Sequence, residues 1–140
     1  MFKIDKEVLL IDYDGLNTTV ETTHGDVIFK GNVIKEILNE SCINYGSSLN
    51  GRIKGSKYAL KSKYKLPIII SEKEKLVFFP VKEMGREIWV NFDMIKELKR
   101  KNSGVVVCFK NGLSQEINVS YTVFNNQVLK ASRLWIIFLS

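Results

Sequence analysis

The sequence predicts an α+β fold: a single mostly-β domain over residues 1–140, made of antiparallel hairpins, with a short helix near 32–40 and a longer helix near 121–134. Three observations predict it. Short β-branched and aromatic runs are separated by tight-turn dipeptides, two windows carry apolar residues at helical spacing, and no repeat, linker or low-complexity tract divides the chain. A chain of 140 residues, 45% hydrophobic and 26% charged, can close one core and is neither disordered nor fibrous in composition.

Taken in order, VLLIDY (8–13), TTVETT (18–23) and DVIFK (26–30) are strand-like, and Asp14-Gly15 and His24-Gly25 between them are hairpin turns. Asn32 is a good N-cap for a helix that carries Val33, Ile34, Ile37 and Leu38 on one face and ends near Glu40. The stretch SCINYGSSLNGRIKGSKYALKSKYK reads as a loop, or a loop with one helical turn, because Gly46, Gly51 and Gly55 interrupt any long element. After Pro67, two apolar runs flank a charged SEKEK turn and close at Pro80, the pattern of a hairpin. A strand at 87–92 precedes DMIKELKRKN, where Asp93 caps a short helix carrying Met94, Ile95 and Leu98. Strands at 104–110 and 114–119 meet at Asn111-Gly112. Ser120 then caps a helix with Val123, Phe124, Gln127, Val128, Ala131 and Leu134 on one face.

Charge is unevenly placed. The chain carries 21 basic and 15 acidic residues, and residues 49–66 hold six of the basic ones with no Asp or Glu. The rest of the chain balances fifteen of each sign, so the formal excess of +6 comes from this one segment. Clustered cations create a local positive field that attracts polyanions. Glycines let backbone amides approach an anion, serines donate to phosphate oxygens and basic side chains neutralise it, which is the inventory of a loop that contacts a DNA backbone. The candidate DNA-binding residues are therefore Arg52, Lys54, Lys57, Lys61, Lys63 and Lys65. Arg52 leads among them as a reader of the narrow, electronegative minor groove of A·T-rich DNA, while the lysines position the protein. Tyr45, Tyr58 and Tyr64 are interleaved with this charge and read as packed against a hairpin rather than stacked on bases.

Other chemistries find no pattern. Cys42 and Cys108 form no CxxC or Cys/His cluster, so no disulfide framework or zinc site is expected, and a reducing cytoplasm suits them. The start, MFKIDKEVLLIDYDG, lacks the apolar core of a signal peptide, and LWIIFL is far shorter than the roughly 20 residues a membrane helix needs, so no membrane partner is expected. His24, the one histidine, sits in a turn and gives Cys42 no dyad signature. Asp12 and Asp14 have a metal-compatible spacing, yet Asp before Gly15 is turn chemistry. GSSLNGRI has P-loop glycine spacing, but Arg52 and Ile53 stand where the lysine and the hydroxyl residue belong. No catalytic residue, metal or cofactor is expected, and the protein is read as a non-enzyme.

Two blocks carry a family resemblance. GSSLNGRIKGSKY followed by LPIIISEKEKLVFFP is similar to the central block of the ComK family of competence transcription factors. FKNGLSQEINVSYTVFNNQVLKASRL resembles that family's later segment, and together the blocks span about residues 41–134. Residues 1–30 match only loosely. The resemblance implies a transcriptional activator of DNA-uptake genes that binds double-stranded AT-rich promoter DNA as a homo-oligomer, with RNA polymerase and a proteolytic adaptor as further partners. Longer family members continue past the position of Ser140, so the apolar end LWIIFLS is expected to pack on the core or on a second subunit. Two other readings stand beside it: a single-stranded nucleic-acid binder using the tyrosines, and a protein-interaction module using the apolar end.

Overall fold

The computed structural model describes residues 1–140. The first hairpin signals hold. Strands β1 (Val8–Tyr13), β2 (Asn17–Thr22) and β3 (Gly25–Lys30) form an antiparallel meander whose turns place Gly15 and Gly25 at φ +101° and +122°, values a side chain rarely tolerates. Asp14 organises the first turn by accepting the backbone N–H groups of Leu16 and Asn17, both at 2.8 Å. These bonds hold its carboxyl below the usual range.

The chain then forms helix α1 (Ile34–Asn44) and helix α2 (Leu49–Leu60) before a second meander, β4 (Ile68–Ser71), β5 (Leu76–Glu83) and β6 (Arg86–Asn91). β1 pairs antiparallel with β6, so both meanders merge into one six-stranded sheet of order β3-β2-β1-β6-β5-β4. Arg86 reinforces the seam by donating to Asp12 on β1 (2.6 Å) and to Glu83 (2.9 Å). A smaller sheet, β7 (Ile95–Lys101), β8 (Gly104–Phe109) and β9 (Ser114–Ile117), and helix α3 (Tyr121–Leu139) complete the fold.

Strand alternation gives the large sheet two apolar faces, because successive side chains point to opposite sides. On one, Ile11, Val20, Ile68 and Phe78 pack with Ile34, Ile37 and Leu38 of α1 and Leu49 of α2. On the other, Leu10, Val90, Phe79 and Ile88 pack with Val105 and Val107 of β8 and with Phe124, Ala131 and Leu134 of α3. Phe79 and Phe124 meet edge to face, with centroids 5.5 Å apart and planes at 79°, the preferred geometry of aromatic pairs.

The α+β class and the antiparallel hairpins are as the sequence predicts, and three elements differ. The short helix starts at Ile34, with Val33 rather than Asn32 at its N-cap, and runs past Glu40 to Asn44. The expected loop after it contains a full helix, α2. Leu49, Ile53, Ser56 and Leu60 recur at helical spacing on its inner side, and Ser48 caps it by accepting the Gly51 N–H at 3.0 Å. Burial of that face outweighs the penalty of about 1 kcal/mol that each helical glycine carries.

The helix expected at DMIKELKRKN is a single 3-10 turn, Phe92–Met94, followed by β7. The apolar strand β8 takes a partner on each side, and a bulge between Ile95 and Glu97 lets both Ile95 and Leu98 pack on the core. Ladder pairing thus overrides a short helical pattern. Ser120 does cap α3, accepting the Val123 N–H at 3.2 Å, and that helix continues through the apolar end to Leu139.

Candidate nucleic-acid interface

The basic segment is not a floppy loop. On α2, Leu49, Ile53, Ser56 and Leu60 face inward, which directs Lys54, Lys57 and Tyr58 outward, followed by Lys61 at the C-cap. Residues at i, i+3, i+4 and i+7 share one helical face, so three of the candidate lysines form one exposed stripe. Lys61 leaves the helix in the left-handed region at φ 52°, and Lys65 adopts φ 50°. Beyond the first of these, Lys63 and Lys65 come to line the same cleft as Lys57 of the helix.

The turn is tied down from below. Ser56 is buried and donates its hydroxyl to the Pro67 carbonyl at 2.7 Å. Gln127 of α3, 3% exposed, donates to the carbonyls of Lys65 (2.9 Å) and Pro80 (2.7 Å). Lys130 donates to the Tyr64 carbonyl at 3.1 Å. The charged heads are therefore presented by a fixed backbone.

Lys57, Lys63 and Lys65 border a cleft of about 950 Å³ between α1, α2 and the β5–β6 hairpin. Lys35 of α1 and Lys82 of β5 reach the same cleft, with Trp89 in its wall and Glu36 and Glu87 as its acids. The cleft is thus rimmed by five lysines against two glutamates. On the other side of Lys57, a shallower groove runs between Tyr58, Lys61 and the α3 residues Ile137 and Phe138. Lys57 joins the two.

Arg52 stands apart from the five lysines. Its side chain is 16% exposed and donates to Glu72 on the β4–β5 turn at 2.8 Å, while its Nε is buried without a partner. A segment free of acids in sequence has acquired one in space. None of Lys54, Lys57, Lys61, Lys63 and Lys65 makes an ion pair. The tyrosines divide in a way that corrects the expectation of packing. Tyr45 packs and donates to the Ile4 carbonyl at 2.9 Å, but Tyr58 and Tyr64 are 86% and 79% exposed among the lysines, because both lie on the solvent side of the segment.

Sequence reasoning missed Lys35 and Lys82, which lie outside the acid-free window and join the cleft only through the fold. It placed Gln127 on an apolar helical face, and that placement was itself a signal: a polar residue there needs buried partners. Cys42 is fully buried in α1, and burial pushes its thiol up to about 11, against the smaller pull of Arg52. Such a thiol is a core side chain rather than an activated nucleophile.

A sequence model of the ComK protein family matches residues 8–139. The chain belongs to the ComK family. The match takes in the first meander as well, extending well beyond the two blocks at 41–134. Over 102 residues the chain is 31% identical to the competence transcription factor of Bacillus subtilis (strain 168), an alignment covering 71% of this chain and 53% of that protein. The chain therefore spans about half the length of that relative. No solved structure matches it. All six candidate residues and the α3 anchors Gln127 and Lys130 fall inside the ComK match. No helix is long and apolar enough to cross a membrane.

Proposed function

We propose that this ComK-family chain is a cytoplasmic, non-catalytic regulator of competence transcription that binds double-stranded AT-rich DNA as a homo-oligomer. The observation that carries this reading is the set of five lysines, free of ion pairs, on one backbone-anchored surface formed by α2 and residues 61–65. Lysines spaced along a helix and its following turn neutralise successive phosphates. Lys35 and Lys82 extend the same positive rim across the cleft. Arg52 enters a minor groove only by leaving Glu72, so groove reading by Arg52 includes exchange of a carboxylate for DNA. RNA polymerase and a proteolytic adaptor belong to the same proposal as partners of the regulator.

The deciding experiment is fluorescence anisotropy with AT-rich and GC-rich duplexes of equal length. Tighter binding of the AT-rich duplex, lost together with duplex binding in a Lys57→Ala, Lys63→Ala, Lys65→Asn variant that still folds, is the expected result. Equal affinity for both duplexes removes AT recognition, and unchanged binding by the triple variant removes the surface. A second reading, single-stranded binding, draws on the exposed Tyr58 and Tyr64, since bases stack on exposed aromatics beside basic grooves. Preference for an oligonucleotide over its duplex, abolished by Tyr58→Ala with Tyr64→Ala, would favour it.

A further inference from the structure

The two edges of the large sheet are unlike. β4 is buried along its length and covered by α1, α2 and α3. β3 pairs with no strand but β2, reaches the core through Phe29, and is exposed at five of its six residues, with Val27 39% and Ile28 65% exposed. An uncovered apolar edge presents unpaired N–H and C=O groups, and natural proteins normally blunt or pair such an edge.

The free backbone groups of β3 can be assigned. Gly31 donates to the Leu16 carbonyl at 2.9 Å, so those two residues form a hydrogen-bonded pair. Stepping along the ladder by two, Phe29 and Val27 direct their backbone groups toward β2, and Lys30, Ile28 and Asp26 direct theirs outward. The three outward residues are symmetric about Ile28.

We propose that β3 is the self-association edge of this chain: two copies pair β3 antiparallel about a two-fold axis at Ile28, joining their six-stranded sheets into one. This interface rests on the homo-oligomer proposed above and names its contact surface. With Ile28 opposite Ile28 of the second copy, Asp26 faces Lys30 of the second copy twice over. Both positions carry outward backbone groups, so the ladder bonds and the charge pairs fall in one register. Val27 meets Phe29 of the second copy on the opposite face. Asp26 and Lys30 have no ion-pair partner within the chain.

Asp26 also lies directly opposite Glu21 on β2, where like charges repel. Arg86, the cation near this corner, is committed to Asp12 and Glu83. Lys30 of a second copy supplies the missing charge. Of the small sheet's two edges, β7 carries four basic residues in seven (Lys96, Lys99, Arg100 and Lys101) and repels a copy of itself, and β9 is a four-residue strand whose one apolar residue, Ile117, is buried.

Sedimentation velocity of the full chain over a concentration series, with amide exchange read residue by residue, tests the proposal without DNA, so the lysine surface is tested separately. The expected result is a dimer with slow exchange at Asp26, Ile28 and Lys30. Ile28→Pro deletes an outward N–H that β2 does not use, a site where an edge strand tolerates proline, and it should leave a monomer. Lys30→Asp and Asp26→Lys should each weaken the dimer about tenfold or more, by turning two attractive cross-strand pairs into repulsive ones. The double exchange should recover affinity to within about threefold. A dimer whose β3 amides exchange freely overturns the edge while keeping the oligomer, and would move attention to Ile136, Ile137 and Phe138 of α3. A chain that stays monomeric at every concentration overturns both, and failure of the double exchange to rescue overturns the register.

Discussion

Arg52 shows how one side chain can be claimed by folding and by binding. Its guanidinium is held by Glu72 and its Nε is buried, so Arg52→Ala removes packing by the stem as well as the ion pair. We expect a loss of about 1–2 kcal/mol in urea unfolding. If Arg52 also reads a minor groove, the AT-to-GC affinity ratio falls in the same variant; an unchanged ratio confines Arg52 to structure. Gln127 is more exclusively a scaffold residue. Gln127→Leu keeps the volume but leaves the Lys65 and Pro80 carbonyls without their donor, for an expected cost of about 2–3 kcal/mol with the m-value unchanged. Cys42 gives a pH prediction. Its thiol is raised from 9.0 to about 11 in the folded state, so the folded chain holds that proton more tightly than the unfolded one. The contribution is fully present below pH 9 and is lost as pH rises toward 11. Cys42→Ala should flatten that alkaline decline, and iodoacetamide should label the partly exposed Cys108 well before Cys42.

At the scale of elements, what could be read from the sequence depended on whether a turn or a packed face announced the element. Asp14-Gly15, His24-Gly25 and Asn111-Gly112 announced their hairpins because positive-φ glycines leave few alternatives. Helix α2 was illegible for the converse reason. Gly51 and Gly55 signal interruption locally, and the countervailing force is burial of Leu49, Ile53 and Leu60 among α1, β4 and α3, elements drawn from both sides of α2 in the chain. The candidate lysines were legible as a charge run. Their common face, the withdrawal of Arg52 and the arrival of Lys35 and Lys82 were not, because each depends on that unread helix or on pairing between distant segments. The glycines of α2 remain a measurable weakness. A Cβ at Gly55 would meet nothing within 4 Å, whereas one at Gly51 would approach Ser48 Oγ at 3.2 Å. Gly55→Ala should therefore raise stability by about 0.5–1 kcal/mol. Gly51→Ala should yield less, because it crowds the hydroxyl that caps the helix.

Over the whole molecule, the fold separates support from presentation. The large sheet and α3 hold a rigid platform, and the α1–α2 insertion between the two meanders carries the cations on its outer side. Rigid presentation makes counterion release countable. Five lysines free of ion pairs, each meeting one phosphate, give a log–log salt slope of about −4.5, from roughly −0.9 per contact. Because Arg52 is already neutralised by Glu72, it should add nothing to that slope unless it exchanges partners. Lys54→Ala and Lys57→Ala should each reduce the slope by about 0.9 and weaken AT-rich and GC-rich duplexes alike. Lys61 is better replaced by Asn, which tolerates its left-handed backbone. Anisotropy titrations between 50 and 300 mM KCl, a range of roughly the kind over which phosphate contacts lose several decades of affinity, separate the cases. A slope near −1 would mean that most of these lysines face water in the complex, and the DNA would then have to lie on another surface of the fold.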